Sequence, residues 1–179
     1  MKLLSSWRRW DIYLVEENWK TFAIKKAKDP TKKWAIKREI AILSFLKSKV
    51  DFVPQIIEFW EDWFKYEFIK WDALHKIKLS SNHLKEIYKK LVNYSYLLDL
   101  INVEHWELSR PTKNIIVNFP KVYIIDFERW SLTNNKNKNL KAIWQFLLWK
   151  WIIEKESLKF SDPKDFKNYL EIKIDKFFS

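Results

Sequence analysis

The chain of 179 residues contains no glycine and 12 tryptophans. That pairing limits the backbone more than any other feature. Glycine alone enters the left-handed region without a steric penalty, and tight turns and helix ends draw on it. It normally supplies about 7% of a globular chain, close to the share that tryptophan holds here. The tryptophans also stand where glycine belongs. Two strand-like runs, 12–15 and 21–25, are joined by Glu17-Asn18-Trp19-Lys20. A two-residue hairpin turn of this kind needs positive φ at both central residues, and Asn-Gly is the favoured pair. Trp60 follows the run 55–59 and precedes Glu61-Asp62, another turn signature. Trp71 ends the run 64–69, and Trp130 follows Asp126-Phe127-Glu128-Arg129 beyond a strand. Trp149 and Trp151 end a helical pattern, where a left-handed C-cap residue belongs. Trp63 and Trp144 read equally well as native aromatics. Most of these residues fall at breaks in periodicity rather than on apolar faces, so they read as glycine positions written in tryptophan. A reassigned codon, a translation artefact or deliberate substitution would each leave this pattern.

Composition narrows the class. The length suits one domain or two small lobes around a real core. No cysteine is present, which excludes disulfides and thiolate metal sites, and three histidines leave little room for zinc. Residues 1–20 lack the apolar run of a signal peptide, and no stretch approaches the ~18 apolar residues of a membrane span. The expectation is a cytoplasmic protein with no membrane partner. The net charge of +11 suits an anionic partner such as a nucleotide or RNA. Lysines are spread along the whole chain, which favours solvated helix faces as their explanation over a single anionic partner.

Residues 3–27 read as a β-hairpin with room for a further short strand. A helix is expected over 31–47, with Ile36, Ile40, Leu43 and Leu46 at helical spacing after Pro30. Strands are expected over 52–59 and 64–69. The clearest helix covers 81–102, with Ser81 as N-cap and a stripe of Leu84, Ile87, Tyr88, Leu91, Leu98 and Ile101. Strands follow over 114–118 and 121–125 around Pro120, then a polar loop over 133–139. Helical segments are expected over 140–148 and 165–178. A strand-rich start and a helix-rich remainder define an α+β protein with two lobes, residues 1–70 and 71–179.

Six motifs then occur in order. Ser5-x-Trp7-x-x-Trp10-x-Ile12, with glycine read at 7 and 10, lies on the pattern G-x-G-x-x-G-x-V of a phosphate-covering loop. Phe22-Ala23-Ile24-Lys25 matches V-A-I-K on the strand after a hairpin. Arg38-Glu39 sits on the next helix. Glu67-Phe68-Ile69-Lys70-Trp71-Asp72 follows a strand. His105-Trp106-Glu107-Leu108 follows the long helix and parallels H-R-D-L-x-x-x-N, and Ile124-Ile125-Asp126-Phe127-Glu128 parallels a strand ending in D-F-G. Each motif alone is weak, but the set in order and in context is specific. The chain resembles the protein kinase-like fold over nearly its whole length. It is similar to the small atypical serine/threonine kinases of archaea, of the RIO type and of the kinase in the tRNA-modifying KEOPS complex. There the catalytic loop often reads H-G-D-L, and no long activation segment follows. No A-P-E motif follows Asp126 here.

The resemblance implies a bilobal fold with a small β-rich N-lobe and a helical C-lobe, using ATP and Mg²⁺. It implies that Ser5, Trp7, Trp10, Ile12 and Ala23 line the nucleotide, and that Lys25 grips its phosphates, oriented by Glu39. Backbone groups near Glu67 and Ile69 would take the adenine edge. Asp126 would bind magnesium through hard carboxylate oxygens. Glu107 would stand in the place of the catalytic aspartate. Asn114 would be the second metal ligand, or Thr112 in its stead, since Asn114 is seven positions after Glu107 where the family has five. Arg110 and Lys113 would contact the γ-phosphate or an anionic substrate, and His105 reads as a hydrogen-bonding structural residue. The acceptor would be a protein or another hydroxyl-bearing molecule. A nucleotide-binding pseudokinase, or a basic scaffold on RNA or in a tRNA-modification or ribosome complex, is the alternative. Trp7 and Trp10 taken literally would fill the phosphate cradle, so glycine at 7, 10 and 106 is expected to favour nucleotide binding.

Overall fold

The computed structural model describes residues 1–70, 72–155 and 159–179. The role read for Trp71 therefore lies outside the described residues. The chain divides into two compact units, Met1–Trp71 with Tyr123–Glu128, and Asp72–Val122 with Arg129–Ser179. The short segment that carries Asp126 thus packs with the first unit rather than with the remainder of 71–179.

The first unit is built on a five-stranded antiparallel sheet. Its strands are β1 (Lys2–Ser6), β2 (Trp10–Glu17), β3 (Lys20–Ala27), β4 (Ile56–Phe59) and β5 (Trp63–Glu67), in the order β1-β2-β3-β5-β4. The β2–β3 hairpin pairs Glu17 with Lys20 across Asn18 and Trp19, whose φ values of 50° and 64° both lie in the left-handed region. The turn therefore has the geometry its sequence position demanded, with a fully exposed tryptophan in the place of glycine. Trp60 closes the β4–β5 turn by donating its N–H to the Trp63 carbonyl at 2.8 Å. Strand β4 is shorter than the expected run 52–59. Pro54 has no N–H for a ladder, and Phe52 and Val53 are instead buried in irregular backbone. Helix α1 (Lys33–Leu46) follows a 3-10 turn at Pro30–Lys32, which Asp29 caps by accepting from the Thr31 N–H. It buries Ile36, Ile40, Leu43 and Leu46, the stripe its spacing prescribes, and Glu39 with them.

The second unit is mainly helical. Helix α2 (Ser81–Leu100) is capped by Ser80, whose hydroxyl accepts from the His83 N–H, one residue before the expected cap. It packs against α3 (Lys138–Trp149) and α4 (Pro163–Phe177). Tyr88 meets Phe146 edge-on at 5.9 Å, which places that tyrosine in the core. Helix α4 starts two residues earlier than expected because Asp162 caps it and Pro163 occupies the first turn. Strand β6 (Asp72–Ala73) pairs with β8 (Ile115–Asn118), which neighbours β9 (Lys121–Ile124). A second ribbon joins β7 (Val103–His105) to β10 (Trp130–Leu132), pairing Trp130 with His105. Trp130 thus begins a strand and is not a turn residue. The end of α3 is a Schellman motif, with Ile152 N–H on Leu147 O and Trp151 N–H on Leu148 O. Its left-handed position is Trp151 (φ 58°), so Trp149, still helical, does not hold that role. No helix among the described residues is long and apolar enough to cross a membrane.

Candidate active site

Strand β3 sets the site of the first unit. Its buried residues alternate, Ala23, Lys25 and Ala27, so these three share one face. Ladder partners extend that face. Ile12 and Phe64 lie opposite Lys25, Tyr66 opposite Ala23, and Trp10 opposite Ala27. The sheet thereby gathers five of the expected nucleotide residues, Trp10, Ile12, Ala23, Lys25 and, from α1, Glu39. Lys25 Nζ donates to Glu39 Oε2 at 2.6 Å and to Asp126 Oδ1 at 3.0 Å. Both Lys25 and Glu39 are buried, while Asp126 keeps a quarter of its side chain exposed.

Burial alone would depress the Lys25 pKa, but the carboxylates of Glu39 and Asp126 outweigh it and hold the ammonium above the usual lysine range. Burial pushes the Glu39 carboxyl up to about 7, with Lys25 opposing the shift and Asp126 and Glu128 adding to it. Tyr66, under the same face, is held in its neutral form by burial. Asp126 has a φ of 65°, a left-handed conformation that costs a residue with a Cβ about 1–2 kcal/mol. Such a backbone persists where surrounding contacts hold it, and it aims this carboxylate at Lys25.

Other expected residues fall around this core. Ser5 sits half-buried in β1 opposite Ile12, beside a bulge between Leu3 and Ser5. The Trp7 N–H donates to the Trp10 carbonyl at 2.9 Å and its indole is exposed. Glu67 ends β5 opposite Phe22, the next N–H donates to the Thr21 carbonyl, and Ile69 lies beyond the strand.

Two features were not read from the sequence. The Trp10 indole lies over Lys25, with Nζ 3.9 Å from the ring centroid. Arg9 forms an ion pair with Glu128 and lies 5.4 Å from the centroid of the Trp34 ring, while Arg38 Nε donates to the Glu128 carbonyl. These contacts tie the 7–9 turn and α1 to the segment that carries Asp126.

The second unit holds the catalytic-loop motif. Asn114 Nδ2 donates to Glu107 Oε2 at 2.8 Å, and Arg129 lies 3.8 Å from the other oxygen. The extra loop length is taken up by a 3-10 turn at Pro111–Lys113, which returns Asn114 N–H to the Pro111 carbonyl. Asn114, not Thr112, meets Glu107; the Thr112 carbonyl instead lies 3.0 Å from His75 Nδ1. Arg110 and Lys113 are exposed. His105 is buried, and its Nδ1 accepts the Glu107 N–H. Trp106 is exposed, with its indole N–H on Ser131 Oγ. Beneath the loop, Asn139 Oδ1 accepts the His105 N–H, and Asn139 Nδ2 donates to Asp99 Oδ1 and the Val103 carbonyl. Asp99 also accepts the N–H groups of Asn139 and Leu140 at the start of α3, and burial raises its pKa against those hydrogen bonds.

A lysine held by a helix glutamate and by an aspartate at a strand end, with a separate H-x-E-L loop, defines a protein kinase-like fold of the atypical kind. The chain belongs to the RIO domain family, whose model matches residues 5–141. Its structure is similar to that of the Rio2 kinase–ADP/Mg²⁺–phosphoaspartate complex from Chaetomium thermophilum, with a TM-score of 0.69 at 13% identity. The likeness covers 98% of this chain and 66% of that one. No curated protein sequence matches.

Proposed function

We propose that the protein is an atypical Mg-ATP-dependent protein kinase acting on serine or threonine hydroxyls. The observation that carries this reading is the buried Lys25 ammonium bound at once to Glu39 and Asp126, in a chain of the RIO family. An ammonium kept charged by two carboxylates is a fixed cation for phosphate oxygens, and Glu39 sets its position. Asp126 is the member of the trio that retains exposure, and its carboxylate suits a hard cation. The chemistry of that carboxylate fits Mg²⁺. Bound magnesium would neutralise charge on the transferred phosphoryl. Glu107 is oriented through its carboxylate by Asn114 and through its N–H by His105, which suits it to receive the acceptor hydroxyl's proton. The protein's own contribution is then positioning and charge compensation rather than covalent chemistry.

The test is transfer of the labelled γ-phosphate of Mg-ATP, to the protein itself or to a basic protein substrate. Transfer that disappears in Lys25→Met and Asp126→Asn supports the reading. Nucleotide-dependent thermal stabilisation without any transfer would replace it with a binding module. The absence of both would remove it.

A further inference from the structure

The Lys25 ammonium has three N–H donors. Two are taken by Glu39 and Asp126, and the Trp10 ring centroid stands 3.9 Å from the same nitrogen. A desolvated ammonium against an indole is among the stronger cation–π contacts. The indole is well seated, since Trp10 is only 8% exposed, and the ladder explains why. Trp10 pairs with Ala27, two residues along β3 from Lys25, which makes Trp10 the diagonal neighbour of Lys25 on the same face, and Ala27 is too small to hold a large ring away. The backbone does not require this residue to be glycine for its own conformation. Among the described residues the left-handed tryptophans are Trp19 and Trp151, and Trp10 is an ordinary strand residue. What its side chain changes is access.

We propose that Trp10 is the residue that determines which ligands reach Lys25, its indole occupying the place beside the ammonium that a phosphate oxygen must take. The proposal rests on the nucleotide-binding reading above and sharpens it. A phosphate-bearing ligand binds only after the ring swings off Lys25, and removal of this one ring opens the site. The face of the ring gives the ammonium a neutral substitute for an anion, which keeps Lys25 satisfied while no ligand is present.

The experiment is calorimetric titration of the full chain with the Mg²⁺ complex of a non-hydrolysable ATP analogue. The variants are Trp10→Gly, Trp10→Ala, Trp19→Gly and Trp10→Ala/Lys25→Met. Trp19 is fully exposed in the hairpin turn and controls for the loss of a tryptophan. Both Trp10 variants are expected to bind at least tenfold tighter than the parent, Trp19→Gly within twofold of it, and the double variant to lose the gain. Stopped-flow binding should saturate with ligand concentration in the parent, reporting ring displacement, and rise linearly in Trp10→Ala. Should glycine at position 10 unfold the protein, the alanine variant and the parent's kinetics still decide. Parent and Trp10→Ala binding with equal affinity overturns the gate while leaving nucleotide binding in place. Binding by none of the folded chains overturns both the gate and the reading beneath it.

Discussion

Glycine placed at Trp19 and Trp151 should stabilise the protein, a result opposite to the usual loss of a large aromatic. Both residues lie in the left-handed region, at φ 64° and 58°. That conformation costs an L-residue with a Cβ about 1–2 kcal/mol. Glycine removes the penalty but loses about 0.5–1 kcal/mol through the greater freedom of its unfolded chain. The net gain is therefore about 0.5–1 kcal/mol at each position. Little packing is lost in exchange, because Trp19 is fully exposed and Trp151 is 87% exposed. The two stand in different units, so their effects should add to about 1–2 kcal/mol. In urea unfolding followed by circular dichroism, the midpoint should rise with an unchanged slope. Melting should shift upward by about 2–4 °C for each kcal/mol in a chain of this size. Trp149→Gly is the internal contrast. Trp149 is in the last helical turn with ordinary backbone, where glycine costs about 1 kcal/mol against a good helix former. An unchanged or lowered midpoint for Trp19→Gly, or stabilisation by Trp149→Gly as large as that by Trp151→Gly, would refute the assignment of strain to these two positions.

Lys25→Met should destabilise the first unit by about 3 kcal/mol, since it leaves the Glu39 and Asp126 carboxylates facing each other without a cation. Urea midpoints at pH 8 and pH 5 should show a smaller loss at pH 5, where Glu39 takes up a proton. In the parent, the Glu39 pKa is raised from 4.5 to about 7 on folding. The folded state holds this proton more tightly than the unfolded one, so the contribution of Glu39 to stability is full at low pH and declines as pH rises through that window. Glu39→Gln should lack the decline, which a pH series of melting temperatures reads directly. Glu107→Gln should lower phosphate transfer by about a hundredfold or more while nucleotide affinity holds, as expected for a group that acts on the acceptor proton. Asn139→Ala should cost about 2–3 kcal/mol in urea unfolding, because it strands the buried Asp99 carboxyl and the His105 N–H.

What the sequence made legible was local. The strand-like runs 12–15 and 21–25 and the Asn18-Trp19 pair specify the hairpin, and F-A-I-K marks the lysine that β3 buries. The stripes of α1 and α2 follow from a period of 3.6, and the order of motifs is enough to imply the kinase-like fold. Short pieces failed for lack of period. Strands β7 and β10 have three residues each, too few to alternate, and they pair Trp130 with His105, 25 positions apart in the chain. Helix starts were missed where a polar residue acted as a cap rather than as a loop, at Ser80 and Asp162.

The contacts that organise the site were illegible for a different reason. Lys25 and Asp126 are 101 positions apart, Arg9 and Glu128 are 119 apart, and Asp99 and Asn139 are 40 apart. Nothing in a local window records such pairings, and the first was expected only through resemblance. A signal for the last pair did exist, because Asp99 sits directly after Leu98 in the apolar stripe of α2, and a carboxyl there must be buried with partners or not at all. The Trp10–Lys25 contact turns on the same distinction between local and assembled structure. A glycine pattern read along the chain asks whether the backbone tolerates a side chain, and at position 10 it does. Only the assembled ladder asks where that side chain goes, and the answer is onto the one ammonium that the nucleotide reading needs.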